Sequence, residues 1–255
     1  MTINSQDLID LISSMDPIIR GIIFGRSVLS DSAIMKHVGR GNIVIDPFDR
    51  ESLSTSSYDV KLGEFYYREE VNRGATDIYN IWSESDVKAV WGEPRQAINA
   101  GDWMRRHNVI LENIHPHDQI IWIWPGETIL CHTQEFIGGT GRTVTTMMKA
   151  RSTVGRNFIE VCKCAGWGDV GYINRWTMEV TNNSRRRRIP LVVGRRIAQI
   201  VFFEVECILS NDYSNSGKYQ TSASLEEIKL NWKPEAMLPR MYLDREIEET
   251  RNLTP

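Results

Sequence analysis

Alternating apolar and polar positions dominate the middle of the chain and predict many short β-strands. Apolar residues alternate with polar ones from Ser57 onward, and further apolar runs follow at 120–124, 127–136, 144–149 and 197–205, with turn residues between them. Many short strands at regular spacing are typical of antiparallel barrels and jelly rolls. The pattern therefore predicts a mainly β fold.

Helical spacing is confined to the two ends of the chain. Residues 5–24 carry apolar positions three and four apart, and Asp16-Pro17 in their middle predicts two short helices rather than one. Ser30 is a typical N-cap for a further helix, which Gly39 should end. A last short helix is expected at 223–231.

These patterns divide the chain into three parts. We expect an N-terminal helical extension over 1–28, a β domain over 29–222 and a C-terminal tail over 223–255. Within the β domain, residues 69–108 are rich in Trp and charge and show no sustained period, which indicates an insertion on the rim of the barrel. The insertion could cover a functional site or contact a neighbouring subunit, and a plain surface elaboration is equally compatible with it.

Composition narrows the class of protein. The 255 residues are 41% hydrophobic with a net charge of -3, which is enough apolar sequence for a core and too little basic charge for nucleic acid to be the main partner. No apolar run is long enough to span a bilayer, and no secretory signal is expected, so we expect a cytoplasmic protein without membrane contact. The four cysteines are then expected to be reduced thiols in strands.

A run of four arginines, 185–188, allows two interpretations. It could be a patch for phosphate or nucleic acid, or the solvated tip of a hairpin. The overall charge favours the hairpin tip.

One carboxylate stands out on a predicted strand. Thr177, Glu179 and Thr181 alternate with Met178 and Val180, so Glu179 should point away from the apolar face. A carboxylate near Arg and Ser residues can hold and activate a water molecule. From these residues alone, Glu179 could instead belong to a strand face that is only solvated and has no catalytic use.

The sequence does not predict a zinc site. Cys162-Lys163-Cys164 lacks a second, spaced ligand pair, and its alternation suits a strand. His115-Pro116-His117 is an isolated pair that is expected in a loop.

Five segments resemble the dCTP deaminase and dUTPase family and follow one another in the family's order. In this chain they read SSYDVKLG (56–63), ARSTVGR (150–156), a strand with Glu179, VGRRIAQIVF (193–202) and GKYQ (217–220). The resemblance runs from about Leu29 to Thr221, apart from the insertion. It implies a dUTPase-like antiparallel β-barrel or jelly roll with short peripheral helices, assembled as a homotrimer with active sites between subunits.

The resemblance also implies a reaction, which is the metal-independent hydrolytic deamination of dCTP, or of a closely related deoxycytidine nucleotide, to dUTP and ammonia. Glu179 would be the general base and proton shuttle. Ser152 and Arg156 would orient the water and Glu179, and Ala165 would offer its backbone carbonyl to that water. A cationic Arg156 beside Glu179 should keep the carboxylate ionised.

Phosphate binding is implied for the segment Arg151, Ser152 and Thr153. The tail motif would close over the nucleotide through Lys218, Gln220 and Tyr213. Guanidinium, ammonium and hydroxyl donors suit phosphate oxygens. A Mg²⁺ ion bridging the phosphates is implied as well, with few protein ligands and without zinc.

Two further residues keep other activities open. Asp169 lies where dUTPases place the carboxylate that activates the hydrolytic water, and Tyr172 where they stack a ring under deoxyribose. The alternatives are a bifunctional enzyme that forms dUMP and pyrophosphate, a dUTPase alone, or a non-catalytic nucleotide-binding trimer. Asn174 replaces a usual Gly, so a modified cytosine or a monophosphate also remains open as substrate.

Overall fold

A computed structural model describes residues 14–16, 28–70, 77–140, 143–206, 208–209, 213–220 and 222–247. The helices predicted over 5–24 lie almost wholly outside these residues. The boundaries of the three predicted parts stay a prediction.

Strands dominate the described residues, in agreement with the sequence pattern. The strands are β1 Ile43–Asp46, β2 Leu53–Ser54, β3 Ser57–Arg68, β4 Arg95–Gln96, β5 Ile98–Asn99, β6 Gln119–Ile123, β7 Thr128–Gly139, β8 Val144–Ala150, β9 Ile159–Val161, β10 Trp167–Gly168, β11 Ile173–Asn182, β12 Ile189–Val192 and β13 Arg196–Glu204.

Short helices lie at the periphery. They are α1 Asp31–Gly39, α2 Glu84–Trp91, α3 Ala100–His107, α4 Ser152–Arg156, α5 Tyr213–Ser216 and α6 Leu225–Asn231, with 3₁₀-helices at Arg50–Ser52, Pro234–Met237 and Met241–Leu243. The Ser30 side chain accepts a hydrogen bond from the Ala33 amide, so the predicted cap of α1 is confirmed. The predicted helix near the C-terminus is confirmed as α6.

Two helices in the insertion were not predicted. Each begins at a side-chain cap, because Ser83 accepts from the Asp86 amide and Asn99 accepts from the Asp102 amide. Each has only eight residues, which is too short for a sustained apolar period to show in the sequence.

The strands form one large curled antiparallel sheet and one small one. The large sheet has the order β10-β8-β13-β3-β7-β11-β9, and β12-β6-β5 form the small sheet. Every strand pair in the described residues is antiparallel, so the predicted mainly β antiparallel fold is confirmed.

The two faces of the β7–β11 pair differ in character. Ile129, Cys131, Met178 and Val180 are fully buried in the main core. Residues at the alternate positions, including Leu130 and Glu179, project from the opposite face, as the period of two requires. The predicted orientation of Glu179 away from the core is therefore confirmed.

That outer face is covered by the insertion and by the tail. Val87 of α2 and Met237 of the tail's 3₁₀-helix are buried in a second apolar cluster with Tyr67, Leu130 and Leu238. The part of the tail around Met237 and Leu238 thus packs on the sheet beside Glu179.

The four arginines are exposed, which agrees with the predicted solvated segment. The predicted hairpin was wrong, because β11 before them pairs with β7 and β9, whereas β12 after them pairs with β6 of the small sheet. Arg188 also places its guanidinium 4.9 Å from the ring centroids of both Trp103 and Trp122. A cation over aromatic faces is attractive, so Arg188 helps hold α3 of the insertion against β6.

Candidate active site

A cavity of about 660 Å³ lies on the outer face of β11. Its lining includes five of the eleven predicted site residues, which are Ala165, Asp169, Tyr172, Glu179 and Tyr213. Strand β11, the loop before it, the turn between β9 and β10, and helix α5 bring these residues together.

Glu179 is a half-buried carboxylate of this cavity. Its Oε2 atom is buried and has no hydrogen-bond partner within the described chain. Burial raises the pKa of the Glu179 carboxyl above its usual range, and the positive charge of Lys163 offsets part of that rise. A carboxylate whose pKa is raised takes a proton from water more readily than an ordinary glutamate does.

The cation beside Glu179 comes from a turn that the sequence did not predict. Cys162 and Lys163 have φ of 60° and 39°, and the Cys162 amide donates to the Glu179 carbonyl at 3.0 Å. The expectation that Cys162 and Cys164 lie in a strand was therefore wrong. The left-handed backbone bends the chain after β9 and places Lys163 and Ala165 at the cavity.

The loop before β11 is fixed by backbone and ring contacts. The Tyr172 amide donates to the Asp169 carbonyl at 3.0 Å, and the Tyr213 amide donates to the Val170 carbonyl at 2.9 Å. The Tyr172 ring meets the Tyr213 ring edge-on, with centroids 5.2 Å apart. These contacts hold Asp169 and Tyr172 at one side of the cavity.

Gln220 is fully engaged within the chain. Its Oε1 accepts from the Ile173 amide at 2.7 Å, and its Nε2 donates to the carbonyls of Gly171 and Ser222 at 3.0 and 2.9 Å. The side chain therefore secures the start of β11. Among the described residues that line the cavity, Gln220 does not appear.

Lys218 is likewise paired within the chain. Its Nζ forms an ion pair with Asp244 of the tail, and it does not belong to the described lining of the cavity either. The predicted phosphate-binding roles of Lys218 and Gln220 stay predictions.

The Arg151 segment lies in a different place in the chain. Arg151 and Thr153 line a separate groove of about 360 Å³ together with Arg195 and Arg196. Asp59, which is 4% exposed, forms an ion pair with Arg151 Nε at 3.1 Å and accepts a hydrogen bond from Arg196 Nη1 at 3.2 Å. This carboxylate orients two guanidinium groups along one edge of the groove.

Ser152 and Arg156 form the two ends of α4 and do not reach the described lining of the Glu179 cavity. Lys163, rather than Arg156, is the cation that acts on Glu179 within one chain. The contact of Ser152 and Arg156 with Glu179, which the resemblance placed between subunits, stays a prediction.

Sequence reasoning also missed residues that complete the cavity. Trp91 ends α2 of the insertion, and Met237 and Pro239 belong to the tail. Trp91 belongs to the insertion, for which covering a functional site was one of the predicted alternatives. No sequence signal marked Met237 and Pro239, because both are distant from the family motifs.

Within the described residues, no three His, Cys, Asp or Glu side chains are grouped as metal ligands. In the same part of the chain, no helix has the length and apolar character needed to cross a membrane.

Comparisons with known proteins identify the family to which this chain belongs. A family model described as dCTP deaminase-like matches residues 28–205. The enzyme named "dCTP deaminase, dUMP-forming" from Hydrogenobaculum sp. is 32% identical over 186 residues, which cover 72% of this chain and 85% of that protein. An enzyme of the same name from Methanopyrus kandleri is 28% identical over 199 residues, which cover 76% of this chain and 90% of that protein.

Among solved structures, the 2′-deoxycytidine 5′-triphosphate deaminase from Agrobacterium tumefaciens superposes with a TM-score of 0.48 and 16% identity. The superposition covers 72% of this chain and 50% of that one. The match over residues 28–205 and the 32% identity to a named relative show that this chain belongs to the dCTP deaminase-like family of enzymes.

Proposed function

We propose that this protein hydrolytically deaminates dCTP and cleaves the resulting dUTP to dUMP and pyrophosphate. The observation that carries the proposal is that two carboxylates, Glu179 and Asp169, line one cavity. The names of the relatives from Hydrogenobaculum sp. and Methanopyrus kandleri support the dUMP-forming alternative over deamination alone.

Glu179 has the properties that the deamination step requires. Its ionised form accepts a proton from water, and the resulting hydroxide adds to C4 of cytosine. Glu179 then returns the proton to N3, and the amine leaves as ammonia with the proton of the new hydroxyl group. Water and dCTP thus give dUTP and ammonia, and the raised pKa of Glu179 suits a group that both accepts and donates protons.

Asp169 would serve the second step. It is exposed at the rim of the cavity, next to the loop turn that it closes with Tyr172. There it would accept a proton from the water that attacks the α-phosphorus, and pyrophosphate would leave. Tyr172 would support the deoxyribose between the two carboxylates.

The triphosphate would lie against cationic groups of a second copy of the chain. Within one chain Arg151, Arg195 and Arg196 line a groove separate from the Glu179 cavity, which is the arrangement expected if a homotrimer joins the two half-sites. Guanidinium groups bind phosphate oxygens well, and Mg²⁺ bound to the triphosphate needs few protein ligands.

Deamination alone, giving dUTP, is the second candidate. The Asp169 carbonyl already accepts the Tyr172 amide, so this residue has a purely structural use in the loop. An Asp169 with only that use would leave dUTP as the end product.

Product analysis separates these functions. The protein is incubated with dCTP and Mg²⁺, and nucleotides, ammonia and pyrophosphate are quantified. The proposal predicts ammonia, dUMP and pyrophosphate in equal amounts, and it predicts that Asp169→Asn releases ammonia but stops at dUTP. Wild-type protein that stops at dUTP contradicts the second step, and protein that turns over no nucleotide contradicts both steps.

A further inference from the structure

One wall of the Glu179 cavity is apolar and is built from the sheet itself. Leu130 on β7 lies directly opposite Glu179 on β11. Side chains directly opposite in an antiparallel pair lie on the same face, with Cβ atoms about 5 Å apart. Leu130 therefore stands next to the carboxylate, and Tyr67, its partner on β3, continues the apolar surface.

Two residues from outside the sheet complete this wall. Met237 is 3% exposed and lies in the same apolar cluster as Leu130. Trp91 packs against that cluster, and its Nε1 donates to the Tyr79 hydroxyl at 3.3 Å, which fixes the indole ring. Both Met237 and Trp91 line the cavity.

Polar and charged groups also line the cavity beside Glu179. Thr177 lies two residues before Glu179 on the same strand face, and Lys163 supplies a positive charge. The cavity thus presents both polar and apolar groups to the ring that the water activated by Glu179 attacks.

A cytosine ring has the same asymmetry. Its O2, N3 and amino groups form hydrogen bonds, whereas C5 and C6 form its apolar edge. C4 must face Glu179, and N3 and C5 are the two ring neighbours of C4. A polar ring atom buried against apolar residues without a hydrogen bond costs free energy. The ring should therefore place N3 toward the polar groups and C5 toward Leu130, Trp91 and Met237.

We propose that Met237 and Trp91 are specificity-determining residues that contact C5 of the pyrimidine and allow an apolar substituent there. Methionine suits this role because its unbranched, flexible side chain can repack around groups of different size. The proposal rests on the deamination proposed above for the same cavity.

The test compares substrates that differ only at C5. Ammonia release is measured with dCTP, 5-methyl-dCTP and 5-propynyl-dCTP for wild type, Met237→Ala and Trp91→Phe. Met237→Ala should raise kcat/KM for the propynyl nucleotide relative to dCTP by about 10-fold or more, which is the usual scale for room made in an apolar pocket. Trp91→Phe should shift the same ratio in the same direction.

Met241→Ala is the matched control, because this methionine lies four residues further along the tail and outside the lining of the cavity. It should leave the ratio unchanged. The ratio does not depend on the folded fraction, since all nucleotides meet the same enzyme preparation.

Equal losses for all three nucleotides in Met237→Ala and Trp91→Phe would overturn this inference and leave the proposed deamination intact. A wild-type enzyme that releases ammonia from dCTP but rejects 5-methyl-dCTP by more than about 100-fold would also overturn it. Absence of ammonia from every nucleotide with wild-type protein would instead contradict the proposed function, and the inference would fall with it.

Discussion

Replacing Gln220 by Ala tests whether this residue supports the active-site loop or binds phosphate. The change removes three hydrogen bonds, to the Ile173 amide and to the carbonyls of Gly171 and Ser222. Gln220 is 4% exposed and Ile173 is 3% exposed, so water does not readily replace the lost partner. At roughly 1 kcal/mol for each bond, the free energy of unfolding should fall by about 3 kcal/mol.

The assay is urea unfolding of Gln220→Ala and wild type without nucleotide. Gln119→Ala, at an exposed position on β6, is the control and should change the free energy of unfolding little. A loss below about 0.5 kcal/mol in Gln220→Ala, together with a raised KM for dCTP, would refute the structural role and favour phosphate binding.

Three further predictions follow from charge and burial. Burial lowers the pKa of His132 from 6.5 to about 4, so at a pH between these values the unfolded chain binds a proton that the folded chain does not. The free energy of unfolding should therefore fall by up to about 3 kcal/mol as the pH drops from 6.5 to 4. Urea unfolding across this range should show this fall in wild type and a smaller fall in His132→Gln. Asp59→Asn should release Arg151 and raise the KM for dCTP about 10-fold with little change in kcat. Steady-state kinetics that show an unchanged KM would contradict this role of Asp59. Because the pKa of Glu179 is raised, kcat/KM for ammonia release should fall at acid pH with a midpoint above 4.5. Lys163→Ala should move that midpoint to higher pH, because the positive charge of Lys163 lowers the pKa of Glu179. An unchanged midpoint would show that Lys163 does not act on Glu179.

The face from which Glu179 projects was predictable from the sequence. Met178 and Val180 flank it and are fully buried, so the period of two determines the direction of the side chain. The same reasoning identified the strands and the mainly β fold, because apolar alternation records which face of a strand is buried.

The other contacts of Glu179 were not predictable. Lys163 reaches the cavity because Cys162 and Lys163 adopt positive φ, a backbone state that neither residue type signals. Met237 and Trp91 reach it through packing between segments far apart in sequence. Local patterns do not encode such contacts, nor do they encode the position of a second copy that would bring Arg156.

Ammonia release by Glu179→Gln under saturating dCTP and Mg²⁺ tests the central claim most directly. Glutamine keeps the size of the side chain but cannot accept the proton of the attacking water. We expect the rate to fall by about 10²-fold to 10⁴-fold while the variant remains folded. A folded Glu179→Gln protein that releases ammonia near the wild-type rate would contradict the account.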